Sequence, residues 1–186
     1  MNDYRKFTMR MIPTIALFLL ATPSFAAAPS LASPTMCAKG DAVVFSCPLA
    51  GSTKVVSICA AGDVAHDKGR FYYAYGRDAA KPELAYPADG ATGEFTRSHL
   101  GFAGNTGGYA YAFTNAGFKY VVYSVSGANN LQDGGLVVLK DGESRPVKRS
   151  SCQSGAVIDT DDDALIDATL KLRRDPALEK SGLPAR

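Results

Sequence analysis

Four cysteines, Cys37, Cys47, Cys59 and Cys152, limit what this chain can fold into more than any other feature. An even number of cysteines in an exported chain reads as a disulfide framework. Three pairings are open. In each of them Cys152 joins a residue at least 93 positions upstream. Closing so long a loop removes roughly 5 kcal/mol of unfolded-chain entropy in the loop-closure picture. It also ties residues 37–152 into one unit. A metal site would show cysteines paired roughly two to four residues apart. The intervals here hold nine, eleven and 92 residues, so two disulfides are expected.

Export is read from the N-terminus. Arg5, Lys6 and Arg10 form a basic head, Ile12 to Ala21 an apolar run, and Ser24-Phe25-Ala26 a small-residue cut site. This is the three-part pattern of a secretory signal peptide. Cleavage after Ala26 is expected. The apolar run falls well short of the ~20 residues of a membrane-spanning helix, so no stable membrane anchor is predicted. Cys37, preceded by Pro34-Thr35-Met36, does not sit at a lipidation site. The product is expected in the periplasm or the medium.

Four segments follow: a signal peptide (1–26), a small, Pro-rich flexible leader (27–36), a disulfide-bonded β domain (37–152) and an acidic segment with a helix and frayed tail (153–186). The full chain carries 20 Lys+Arg and 18 Asp+Glu. Without Arg5, Lys6, Arg10 and Asp3, 17 of each remain. A near-neutral product lacks the positive field that draws nucleic acid.

Within 37–152, short β-branched and aromatic runs alternate with Gly, Asp, Asn and Pro, the pattern of antiparallel strands and turns. Four hairpins are predicted: 43–47 with 54–59, 71–76 with 83–87, 109–113 with 118–125 through Thr114-Asn115-Ala116-Gly117, and 136–140 with 145–152 around Asp141-Gly142. Pro146 predicts that the last strand runs along an edge or starts after the proline. A further strand is expected near Glu94–Phe102. The fold class is therefore all-β: an antiparallel barrel or sandwich of about eight or nine short strands, with a C-terminal helix. That helix is predicted over Ala164–Arg174, with Leu165, Ile166, Thr169, Leu170 and Leu172 as its apolar stripe and Asp175-Pro176 as its stop.

Local motifs exclude several chemistries. Asp159, Asp161 and Asp163 have the odd spacing of a calcium loop, but Ala164 and Leu170 stand where glycine and glutamate belong. The run reads instead as an acidic helix start. No phosphate-binding loop, dinucleotide fingerprint, C-x-x-C or H-E-x-x-H occurs, and no cofactor is predicted. Asn105 to Gly108 reads as a flexible connection. His66 and His99 are the only histidines. They would be the catalytic bases of a hydrolase, for which no G-x-S-x-G nucleophile motif is present. Every tyrosine after residue 26 lies between Tyr72 and Tyr123. Tyr73 and Tyr75 share one strand face, and Tyr109 and Tyr111 another. Facing outward they could stack sugars or anchor a protein; facing inward they are core.

The words FSCPL (45–49), KVVSICA (54–60), YYAYGR (72–77), ELAYP (83–87) and SSC (150–152) resemble a group of small exported bacterial disulfide-bonded β proteins. That resemblance implies export and a β fold and carries over no activity. The architecture is also similar to that of periplasmic lysozyme inhibitors. Their S-G-x-x-Y signature is not reproduced, since Ser126-Gly127 precedes Ala128-Asn129-Asn130. The reading is a non-catalytic exported binding protein, inhibitor-like, with an unknown protein or an envelope glycan as partner and Tyr73, Tyr75, Tyr109 and Tyr111 as binding residues. A hydrolase using His66 or His99, or a structural cell-envelope component, is the alternative.

Overall fold

The computed structural model describes residues 34–88, 91 and 93–184. The signal peptide, its cut after Ala26 and the leader as far as residue 33 lie outside the described residues.

Among the described residues, ten strands form two antiparallel sheets of five. The first contains β1 (Ala42–Pro48), β2 (Val55–Asp63), β3 (Lys68–Gly76), β4 (Leu84–Tyr86) and β10 (Ile158–Asp159), in the order β10-β1-β2-β3-β4. The second is a meander of β5 (Thr96–Phe102), β6 (Thr106–Asn115), β7 (Phe118–Gly127), β8 (Leu131–Lys140) and β9 (Pro146–Ser151). The all-β expectation holds, and the architecture is a sandwich and not a closed barrel. All four predicted hairpins form, and β9 is an edge strand.

Turn chemistry explains the meander. The β6–β7 connection is tighter than predicted. Asn115 pairs with Phe118, leaving Ala116 and Gly117 as a two-residue turn with positive φ at both. That is the mirror-image turn whose twist suits a hairpin. Asn129 and Asn130, also at positive φ, link β7 to β8. The expected flexible connection at 105–108 is instead a turn at Gly104-Asn105 followed by the start of β6. Gly108 has to be glycine, because a Cβ there would lie 1.9 Å from the Ser124 carbonyl oxygen.

Between the sheets lie Phe45, Ile58, Tyr73, Tyr111, Phe113, Val122, Leu136 and Val138. Phe113 is stacked between Tyr86 and Tyr120, with ring centroids 4.3 and 5.0 Å away. Neither sheet leaves its outer face bare. Ser46, Ser57 and the backbone of Pro34–Met36 form a hydrogen-bonded seam on the first sheet, where Met36 packs with Val55 and Ala74. On the second sheet, Val121, Tyr123, Val137 and Leu139 form an apolar layer with Leu178. This is why β7 and β8 read as continuous apolar runs and not as strict alternation.

The segment after Cys152 corrects the sequence reading. Helix α1 (Asp163–Leu170) ends four residues before Arg174. Asp162 caps it, its Oδ1 accepting from the Leu165 amide at 3.1 Å. Leu165 and Thr169 are buried, whereas Leu170 is exposed. Arg173 then pairs with the free edge of β5. The tail over residues 176–181 is not frayed. Asp175-Pro176, predicted as a stop, starts helix α2 (Pro176–Ser181). Asp175 accepts hydrogen bonds from the amides of Ala177 and Leu178, and Pro176 occupies the first helical turn. Aspartate before proline is a helix-start pair as well as a helix-stop pair, and only a partner for the next turn decides between them.

The disulfides join Cys37 to Cys59 and Cys47 to Cys152. Both fit an oxidising compartment. Among the described residues no helix is long and apolar enough to cross a membrane.

Candidate functional site

Side-chain alternation along β3 sends Tyr73 and Tyr75 to the same face, toward the second sheet. They open into a cleft of about 340 Å³ between β3–β4 and β7–β9. Leu84, Tyr120, Leu136 and Val138 form its walls, with Phe118 and Val147 at the mouth. Both mouth residues are exposed, Val147 at 57%. The volume lies in the lower part of the range of small-ligand sites.

Tyr73 forms the base. It is 0% exposed and packs on Phe113 and Tyr120, with ring centroids 4.9 and 6.0 Å away. Its hydroxyl is buried and has no hydrogen-bond partner among the described residues. Burial, and then the neighbouring phenols of Tyr75 and Tyr120, push it well above the usual phenol range. The hydroxyl thus keeps its proton and is a donor without an acceptor. Leaving such a group unmatched costs about 1–3 kcal/mol.

Charge sits at the rim. Lys54 and Lys148 flank the Tyr75 ring, with ammonium nitrogens 5.1 and 5.4 Å from its centroid. Lys148 also donates to the Tyr75 hydroxyl at 3.2 Å. Glu83 lies 2.6 Å from Lys54. The Lys54 hydrogen bond, with the charges of Arg77 and Lys148, holds the Glu83 carboxyl below its usual range. Three cations therefore bear on one carboxylate.

The other two predicted tyrosines are placed elsewhere. Tyr111 is 2% exposed and belongs to the inter-sheet core. Tyr109 is half-buried and donates to Asp159, which also accepts from Ser124 at 2.6 Å. Asp159 is on β10 of the first sheet, and Tyr109 and Ser124 are on the second. This trio is a polar tie across the sandwich, with Arg97 over the Tyr109 ring at 5.0 Å. Burial, followed by the Asp159 charge, raises the Tyr109 hydroxyl far above the phenol range.

Neither histidine is brought to a nucleophile. His66 ends a one-turn 3-10 segment, with Nδ1 3.0 Å from Asp63, and both side chains are largely exposed. His99 is exposed on β5, and its ring makes no hydrogen bond among the described residues; its backbone amide donates to Glu179. No group of three or more metal-ligating side chains occurs among the described residues. A wider depression of about 740 Å³ lies along Gly62, Lys68, Gly69 and Arg70. It holds no buried unpartnered group and is the weaker candidate.

Sequence reasoning missed Glu83, Phe118, Tyr120, Val147 and Lys148. Period-two alternation places Tyr120 on the same face as Val122, so that residue was within reach. Lys148 carries no local signal, because its position depends on how β9 passes β3. The chain matches no protein-family model, no curated protein and no solved structure.

Proposed function

We propose that this chain is an exported, non-catalytic binding protein and that the Tyr73–Tyr75 cleft receives a group of its partner. The observation carrying the reading is the open apolar cleft between the sheets, walled by Leu84, Tyr120, Leu136 and Val138 and bordered by Lys148 and the Lys54–Glu83 pair. An apolar cleft with a few polar groups at its margin is the usual form of a binding site. The packing behind the cleft supports a preformed site: the wall residue Tyr120 is stacked on Phe113, which is stacked in turn on Tyr86. The signal pattern at residues 1–26 supports export. As partner, the reading keeps a protein or an envelope glycan.

The test is titration of the isotope-labelled, disulfide-bonded mature protein with soluble envelope proteins and with cell-wall oligosaccharides. Shift changes should centre on Tyr73, Tyr75, Phe118 and Lys148. Tyr75→Ala should weaken the response. No response to either fraction, or one centred away from these residues, overturns the reading.

A further inference from the structure

We infer that the cleft takes the C-terminal residue of a partner protein, its apolar side chain set between the sheets and its α-carboxylate held by Lys148 and the Tyr75 hydroxyl. The inference rests on the cleft being the binding site and chooses between the two partners left open above.

The rim carries two donors at one point. Lys148 Nζ donates to the Tyr75 hydroxyl at 3.2 Å. Among the described residues Lys148 forms no ion pair, and the Tyr75 hydroxyl donates to no other group. The ammonium keeps N–H groups, and the phenol keeps its O–H, for an outside acceptor. Both side chains reach solvent: Lys148 is exposed and Tyr75 half-buried. Two donors side by side, one of them charged, suit the two oxygens of a carboxylate. Lys54 takes no part, because Glu83 holds it at 2.6 Å. Glu83 is used in the same pair, so an incoming ammonium would meet Lys148 instead.

Below the donors the cleft is apolar. The ring of Tyr75 lines it, so one side chain joins the carboxylate site to the walls. Leu84, Leu136 and Val138 offer no hydrogen-bonding side-chain atoms. A sugar ring set among them would leave several hydroxyls unmatched, which opposes entry. A bulky apolar side chain loses nothing there and gains contact with the Tyr75 and Tyr120 rings. Apolar group and carboxylate must therefore lie close together on the occupant. In an extended internal segment the neighbouring side chain points to the opposite side. The last residue of a chain carries both groups on one Cα. The residues before it then run out over Phe118 and Val147, which are exposed at the mouth.

The test uses the whole mature protein with both disulfides formed. Five probes are titrated and read by chemical shifts: acetyl-Gly-Gly-Phe with a free carboxylate, its C-terminal amide, acetyl-Gly-Gly-Ala with a free carboxylate, the amidated peptide acetyl-Gly-Phe-Glu, and a trimer of N-acetylglucosamine. The Phe acid should bind roughly three- to tenfold more tightly than its amide, the worth of charge-assisted contacts at an exposed rim. That preference should vanish in Lys148→Gln and narrow in Tyr75→Phe, which keeps the ring. The Ala acid should bind about tenfold more weakly or worse, since it leaves little apolar surface to bury.

Equal binding of the Phe acid and its amide, or of the Phe and Ala acids, overturns the inference. So does equal binding of the internal Phe-Glu peptide, or a response at the cleft to the sugar trimer alone; either leaves the cleft as the binding site. Silence from all five probes overturns the C-terminal occupant, and the cleft itself is then judged by the envelope titration.

Discussion

Tyr73 carries a packing role and an unmatched polar group in one side chain. Its ring fills the inter-sheet core against Phe113 and Tyr120. Its hydroxyl makes no hydrogen bond among the described residues. The two roles separate by substitution. Tyr73→Phe keeps the packing and removes the unmatched donor, so the folded protein without ligand should be as stable as before or more stable by up to ~1 kcal/mol. Urea unfolding checks this. A loss above ~1 kcal/mol would mean that the hydroxyl is hydrogen-bonded in the folded protein. Period two places Tyr73 and Tyr75 on one face, and Tyr109 and Tyr111 on one face, from sequence alone. It does not say which pair meets a gap. Tyr109 meets Asp159, fifty positions away and on the other sheet, while Tyr75 meets a lysine from an edge strand.

Among the elements, α2 shows how a short helix survives. Six residues cannot hold a helix in water. Leu178 anchors this one on the second sheet at 4% exposure. Ser98 accepts from the Asp175 amide at 2.9 Å and donates to its carbonyl at 3.4 Å. The Asp175 carboxylate caps the helix and pairs with Lys119. Burial raises the Asp175 carboxyl, but the Lys119 hydrogen bond, the Leu178 and Ala177 amides and the Lys119 charge outweigh it. The net shift is downward.

A carboxyl held low in the folded state adds stability above its unfolded value, about 3.9, and loses it as pH falls through the folded value. Asp175→Asn keeps a side chain able to cap and removes the charge. The parent protein should therefore exceed it by roughly 1 kcal/mol at neutral pH. The gap should hold down to about pH 5 and close below about pH 4. Urea midpoints of both proteins at several pH values test this; a gap that is unchanged at pH 3 would exclude the ion pair as its source. The strands of both sheets were legible because alternation and turn residues are local. Helix α2 was not, because its stability comes from Ser98, Lys119 and the sheet beneath it.

At the scale of the molecule, the two disulfides differ in what they join. Cys37–Cys59 closes 22 positions, and Cys47–Cys152 closes 105. Loop-closure entropy makes removal of the longer one cost roughly 5 kcal/mol, against about 3 kcal/mol for the shorter. The paired replacement Cys47→Ala with Cys152→Ala should thus lower the urea midpoint more than Cys37→Ala with Cys59→Ala. The reverse order would show that the Met36 seam, and not the long loop, is the larger constraint. The long bridge links β1 to the chain just after β9, so it holds one sheet to the other. By itself, the sequence determined the β class, the hairpins and the use of all four cysteines in bridges. Each depends on residue type within a few positions or on the oxidation of paired thiols. Which cysteines pair, sandwich over barrel, the strand at Ile158–Asp159, the second helix and the site of the cleft were decided only by tertiary structure. They depend on which distant faces meet, and the free energy of that meeting is not written in any local window.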